Sequence, residues 1–323
     1  MSSAAPSESH STDPVHASPH SRHPASPGPI DPSSSPTSVP PTADRGADMD
    51  RGADMDRGNG AAPLLDAGAD PLPQALPDPL SDILPDFRDR WYSTLNWCPS
   101  PDQQQQFTAI YQAIVEANRF LNLTRITTPE DFWEKHLWDS LSGLTSFLPP
   151  APRPQRIIDI GTGGGFPGLP AAVLWPESEV TLLDSTRKKI LFLEGLVEQL
   201  ALSRVKPIVG RAEALGQDPQ MREQYDLALV RAVGGVTVCA EYAIPLVRRE
   251  GYAVLYRGQW STEEENSLKT AALDLGGVIQ AVNHFQTPLT GAVRHCIVIK
   301  KEADTPEAYP RAVGVPSQKP LGQ

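Results

Sequence analysis

The chain has 323 residues, 39% hydrophobic and 7% aromatic, long enough for one or two domains with a sizeable core. No run of 18 apolar residues occurs, which excludes a transmembrane helix; three scattered cysteines (Cys98, Cys239, Cys296) exclude a disulfide framework or a zinc cluster. The net charge of −11 belongs mostly to residues 1–83, whose 12 acids and 4 arginines leave only −3 for the remainder.

Residues 1–83 hold 15 of the 34 prolines and no Phe, Trp or Tyr. A polar hexapeptide, R-G-A-D-M-D, runs twice in tandem from Arg45 to Asp56, too few copies for a solenoid. Such a composition cannot bury enough apolar surface to offset backbone ordering, so a disordered tail is expected. Four histidines there (His10, His16, His20, His23) read as solvated rather than metal-binding. No basic start precedes an apolar run, so no secretory signal is expected and a reducing cytoplasm is the default. A chain beginning near Ile83 should keep full activity; loss of activity on that truncation would show the tail to be more than solvated polymer.

Residues 84–155 read as a helical segment. Asp102 or a neighbour can cap a helix through about Leu121, with Phe107, Ile110, Tyr111, Ile114 and Val115 on one face. After a turn at Asn122–Arg125, a second helix should start near Pro129, its stripe formed by Phe132, Trp133, Leu137, Leu141 and Leu144. Prolines 149, 150, 152 and 154 end this part.

From Arg156 to about residue 303, strands and helices alternate. Strands are expected at Arg156–Ile160, Glu179–Leu183, Val205–Val209, Leu227–Val230 and Tyr252–Tyr256, and helices around Pro170–Leu174, Arg187–Leu200, Val238–Arg248 and Thr262–Leu275. Two final strands, Gly277–Phe285 and Ala292–Lys300, have no helix between them. The series reads as an α/β fold with a mostly parallel sheet of seven strands and an antiparallel edge. Residues 304–323 are polar and proline-containing, and are expected to be loose.

The first strand runs into Gly161-Thr162-Gly163-Gly164-Gly165-Phe166-Pro167-Gly168, with four glycines in five positions. Glycine permits unusual backbone angles and close approach of a ligand, at the sheet end where open α/β folds bind ligands. Gly163, Gly165 and Gly168 satisfy the dinucleotide fingerprint G-x-G-x-x-G. Aligned from the strand end, however, the frame is D-x-G-x-G-x-G-F, similar to the nucleoside loop of S-adenosylmethionine-dependent methyltransferases. A pyrophosphate wants bare N–H groups at a helix start, whereas a sulfonium donor is cationic and suits a carboxylate such as Asp159. Asp184, ending the second strand, can accept ribose hydroxyls of either ligand. Glu213, after the third, could address an adenine edge or simply start a helix.

Several motifs together resemble the bacterial 16S rRNA methyltransferase G family, also called glucose-inhibited division protein B. They are Asn122-Leu123-Thr124-Arg125-Ile126, His136-x-x-Asp139-Ser140-Leu141, the run from Gly161 to Pro170, Asp184-Ser185-x-x-Lys188-Lys189, Arg211-Ala212-Glu213, Val230-Arg231-Ala232 and Tyr256-Arg257-Gly258. The likeness spans roughly Trp97 to Lys300. It implies a Rossmann-like methyltransferase fold and N7 methylation of a guanine in 16S rRNA, with the small ribosomal subunit as partner and neither membrane nor metal. It implies donor contacts from Gly161, Phe166, Asp184, Ser185, Thr186, Ala212, Glu213 and Arg231. Asn122, Arg125, Lys188, Arg211 and Arg257 are candidate RNA contacts, Arg257 standing where the family typically has lysine.

Guanine N7 carries an in-plane lone pair and no proton, so its methylation needs alignment more than a general base, and no catalytic acid or base is assigned. His136 reads as a surface or core histidine. Competing readings are a methyltransferase acting on a protein or small molecule, a dinucleotide-dependent oxidoreductase, and a non-enzymatic RNA-binding factor of the same fold.

Overall fold

The computed structural model describes residues 83–322, so the expected disorder and the histidines of the leading tail lie outside the described residues. Three helical stretches and a 3-10 turn (Thr145–Phe147) precede the sheet; the three are α1 (Arg88–Leu95), α2 (Pro101–Leu121), and a run of α3 (Pro129–Phe132), a π-helical turn (Trp133–Trp138) and α4 (Asp139–Ser142). The cap of α2 is Ser100 rather than Asp102. Its hydroxyl accepts from the Gln103 N–H while the Gln103 side chain accepts from the Ser100 N–H, with Pro101 tolerated in the first turn. Phe107, Ile110, Tyr111 and Ile114 are buried as their spacing predicts, and so is the whole stripe from Phe132 to Leu144. Helix α1 had no sequence signal beyond its two buried residues, Trp91 and Leu95.

The sheet comprises β1 (Arg156–Ile160), β2 (Glu179–Asp184), β3 (Val205–Val209), β4 (Tyr225–Arg231), β5 (Val247–Arg257), β6 (Gly277–Gln286) and β7 (Val293–Lys301), in the order β3-β2-β1-β4-β5-β7-β6. Neighbours from β3 to β5 pair parallel; β7 lies antiparallel between β5 and β6, so the returning hairpin strand is internal and β6 forms the edge. The strand order reverses at β1, which pairs with both β2 and β4. Ligands of open α/β sheets bind beyond the carboxyl ends of the strands at such a reversal.

Both faces of the central strands are covered, so their side chains alternate between two apolar cores. Ile157, Leu227 and Leu229 pack with α2, α5 (Gly168–Leu174) and α6 (Arg187–Gln199); Ile158, Ile160, Ala228 and Val230 pack with α8 (Val236–Ala243) and α9 (Thr262–Asp274). Trp91, Phe107, Trp133 and Leu141 belong to the first of these cores. The helical segment is thus part of the sheet's own core. Glu134, fully buried in the π-helical turn, adds a polar tie by accepting the N–H groups of Leu289 and Thr290 and the Thr290 hydroxyl. Among the described residues no helix is long and apolar enough to cross a membrane.

Two expectations need correction. The helix read across Val238–Arg248 ends at Ala243, because Pro245 occupies a 3-10 turn (Ile244–Leu246) and Val247 already pairs with Tyr225 on β4. The stretch after residue 303 is not loose. Thr305 bonds to Leu275 and Glu223, and Arg311 forks onto the buried Glu241, after which comes the short helix α10 (Val315–Gln318). The remaining short helix, α7 (Ala212–Gln217), follows β3.

Candidate active site

The loop after β1 depends on its glycines in two separate ways. Gly161, Gly163 and Gly165 hold φ values of +73°, +60° and +100°, in the region that side chains rarely adopt. At Gly168 space decides: a Cβ there would stand 2.2 Å from Leu182 and 2.8 Å from Asp159. The loop is pinned to β2, where the Leu183 carbonyl accepts the N–H groups of Gly161 (2.8 Å) and Thr162 (2.9 Å).

Two carboxylates anchor this loop. Asp184 accepts from the N–H of Gly163 (3.0 Å) with one oxygen and from the N–H of Thr186 (2.8 Å) with the other. Each oxygen keeps a second lone pair for a ligand hydroxyl. Asp159 is completely buried behind the loop; one oxygen takes the Thr162 hydroxyl (2.6 Å) and the Gly168 N–H (2.7 Å), while Oδ1 has no partner among the described residues. Burial pushes its pKa up to about 6, against the opposing pull of those two hydrogen bonds and of Arg231.

A cavity of about 440 Å³ opens beside the loop. Of the sequence-predicted residues, the fold brings Gly161, Asp184, Ser185, Thr186, Arg211, Ala212 and Glu213 to its wall. Lys189 joins them, not Lys188, because α6 turns Lys188 outward and sets the Lys189 ammonium 3.8 Å from Asp184. Glu213 is less available than its position suggests: Arg211 donates to both of its oxygens and the Gly314 N–H to one of them. Tyr242 and Ser317 also line the cavity and had no local sequence signal.

Phe166 and Arg231 lie apart from that wall. The Phe166 ring stacks on His136 at 4.4 Å and 10°, with the Arg231 guanidinium 5.7 Å over its face. Arg231 donates to the Lys135 carbonyl and to Asp139, both at 2.9 Å, and Arg294 donates to the other Asp139 oxygen at 3.0 Å. His136 is held neutral, its pKa pushed down to about 3 by burial and then by Arg231 and Lys135. Arg231 can only donate, so Nδ1 of His136 accepts at 3.4 Å and Nε2–H donates to the Thr124 hydroxyl. This clamp joins the helical segment to the end of β4. Leu123, in the turn it steadies, comes within van der Waals reach of the space beside Gly164.

The other predicted basic residues divide. Asn122, at φ +48°, and Arg125 are exposed on that turn. Arg257 is committed to protein partners, donating to the Gly234 carbonyl (2.9 Å) and Glu264 (2.6 Å), so it braces the loop after β4. Burial pushes the thiols of Cys239 and Cys296 up to about 11 and about 12, which leaves neither a ready thiolate nucleophile.

The residues suit a sulfonium nucleoside: paired acids, a loop of bare main chain, an unpartnered buried carboxylate oxygen, and no phosphate cradle at the start of α5, where Gly168 N–H is already spent on Asp159. The family model of GidB, rRNA small subunit methyltransferase G, matches residues 103–296. The chain belongs to that family. A ribosomal RNA small subunit methyltransferase G from Synechococcus elongatus is 58% identical over 232 residues, 72% of this chain and 96% of the relative. Another from Trichormus variabilis is 54% identical over 237 residues, with the same coverage. Among solved structures, TrmN from Thermus thermophilus aligns with half of the chain and 48% of its own, at 21% identity and a TM-score of 0.39. Family membership makes this chain a methyltransferase with S-adenosylmethionine as its donor.

Proposed function

We propose that the protein transfers the methyl group of S-adenosylmethionine to N7 of a guanine in 16S rRNA, presented within the small ribosomal subunit. Family membership carries this reading, and the cavity beside the glycine loop supports it. The bound donor supplies a sulfonium-activated methyl group. The chain's own residues supply position: Asp184 accepts the ribose hydroxyls, the main chain from Gly161 to Gly163 backs the amino-acid portion, and Ala212 and Glu213 border the base. Guanine N7 has no proton to lose, so no side chain must act as a base. The neutral His136, with both ring nitrogens engaged, fits that requirement. Work on this substrate belongs in a bacterial cytoplasm. Methylation of purified small subunits lacking the modification, with the product mapped by nuclease digestion and mass spectrometry, tests the proposal; no new N7-methylguanine would overturn it.

Asp159 gives the donor step a pH signature. Below about pH 6 its carboxylate takes up a proton, and the cationic donor loses a counter-charge behind the loop. The expected outcome is a donor Kd that is flat above about pH 6 and rises by up to about tenfold per pH unit below it. For the fold the sign is opposite. A carboxylate with a raised folded pKa destabilises where it is ionised, so its own contribution improves as pH falls through that range. Calorimetry and thermal unfolding across the same pH series separate the two, and Asp159→Asn should flatten both.

On the RNA side, the exposed turn Asn122–Arg125 follows Arg119 and Phe120, and the Phe120 ring is 82% exposed. An exposed aromatic side chain on the same stretch as the exposed Arg119 and Arg125 suits an unpaired base with its phosphates, a contact worth about 1–2 kcal/mol. Phe120→Ala should raise KM for small subunits roughly 5- to 30-fold in steady-state assays, with donor affinity and Tm unchanged.

A further inference from the structure

The segment after β7 returns across the sheet to the cavity, and the fold commits several of its own charged groups to hold it. Arg222 donates to the carbonyls of Thr305 and Tyr309, each at 2.6 Å, and Glu223 accepts the Thr305 N–H at 2.9 Å. Glu241, with no exposed surface, takes the main-chain N–H and the guanidinium of Arg311. These anchors deliver Gly314, in the left-handed region at φ +85°, to Glu213, and bring Ser317 to the cavity wall beside Tyr242.

The consequence lies at Glu213. Arg211 and the Gly314 N–H supply three donors to its two oxygens, and the carboxylate faces the Tyr242 hydroxyl, whose pKa it helps to raise after burial. A carboxylate so engaged is poorly placed to take an amino group from a heterocycle. The Ser317 hydroxyl, by contrast, gives its proton to the Gly314 carbonyl at 2.9 Å and, with one side turned to the Tyr242 hydroxyl, keeps a lone pair for a further donor. We infer that residues 304–322 complete the nucleoside end of the donor cavity, with Ser317 reading the amino edge of the heterocycle and Gly314 fixing Glu213 as part of the wall. The inference rests on the proposed reading of this cavity as the donor site. It makes donor affinity depend on a segment that lies beyond the last strand.

The test uses the full chain, with S-adenosylhomocysteine and its 6-oxo analogue, S-inosylhomocysteine, as probes in calorimetry. Ser317 is exposed and belongs to neither apolar core, so Ser317→Ala should fold as the parent does. It should weaken S-adenosylhomocysteine about fivefold, the scale of one hydrogen bond, and reduce the preference for the 6-amino probe. The KM for small subunits and kcat at saturating donor should not move, and Ser317→Thr should restore affinity. Gly314→Ala, strained by its backbone angle although a Cβ would meet only Gln318 at 3.6 Å, should weaken both probes together. Parental affinity and parental discrimination in both variants would overturn the inference while leaving the proposed function standing. If the parent itself bound neither probe, the donor-site reading would fail and this inference with it.

Discussion

Asp184→Ala is expected to weaken S-adenosylhomocysteine by roughly 100-fold or more, the largest loss of donor binding from any single substitution in the cavity. Two effects combine. The ribose loses a charged acceptor, and the N–H groups of Gly163 and Thr186 lose the carboxylate that holds the loop against β2. Hydrogen bonds to a charged group contribute about 1.5–3 kcal/mol each, so part of the damage should also appear as lower stability without ligand. Asp184→Asn is the sharper probe. Its amide keeps one acceptor but turns an NH₂ toward one of those two N–H donors, so it should approach the alanine variant rather than the parent. Calorimetry that found the asparagine variant near parental affinity would show that Asp184 does not hold the sugar.

What could be read from the chain alone follows from how local each feature is. The glycine loop was legible because its backbone angles are written into its own residues: Gly161, Gly163 and Gly165 stand where φ is positive. The strands were legible because burial on both faces requires unbroken apolar runs such as Ile157-Ile158 and Leu227–Val230. The clamp was not, since Asp139 meets Arg231 and Arg294 across 92 and 155 positions, and no local pattern encodes that meeting. The last twenty residues failed for the same reason. Their composition is that of a loose tail, and their order comes from Arg222, Glu223 and Glu241, which lie 70 to 87 positions away. Arg257 shows a further gap: the family likeness made it a candidate RNA contact, whereas its guanidinium is paired with Glu264 on α9.

Arg231 tests how far a resemblance can assign a role. The family likeness implies that it touches the donor, whereas its side chain lies in the clamp, 15% exposed and paired with an 11% exposed Asp139. Removing one partner of such a pair leaves a buried charge short of compensation, a loss of about 3–5 kcal/mol. For a unit of this size that corresponds to a Tm lower by roughly 6–12 °C in Arg231→Ala. Arg231→Lys should recover only part of this, because an ammonium that took over the two Nη1 bonds to the Lys135 carbonyl and Asp139 could not also supply the Nη2 contact to His136 or lay a planar group over the Phe166 ring. The two roles then separate on binding. If the clamp is its function, donor Kd measured below the new Tm should change less than about threefold. The KM for small subunits should rise instead, because the turn bearing Asn122 and Arg125 is no longer held beside the glycine loop. A donor Kd that rose in step with the fall in Tm would return Arg231 to the donor site.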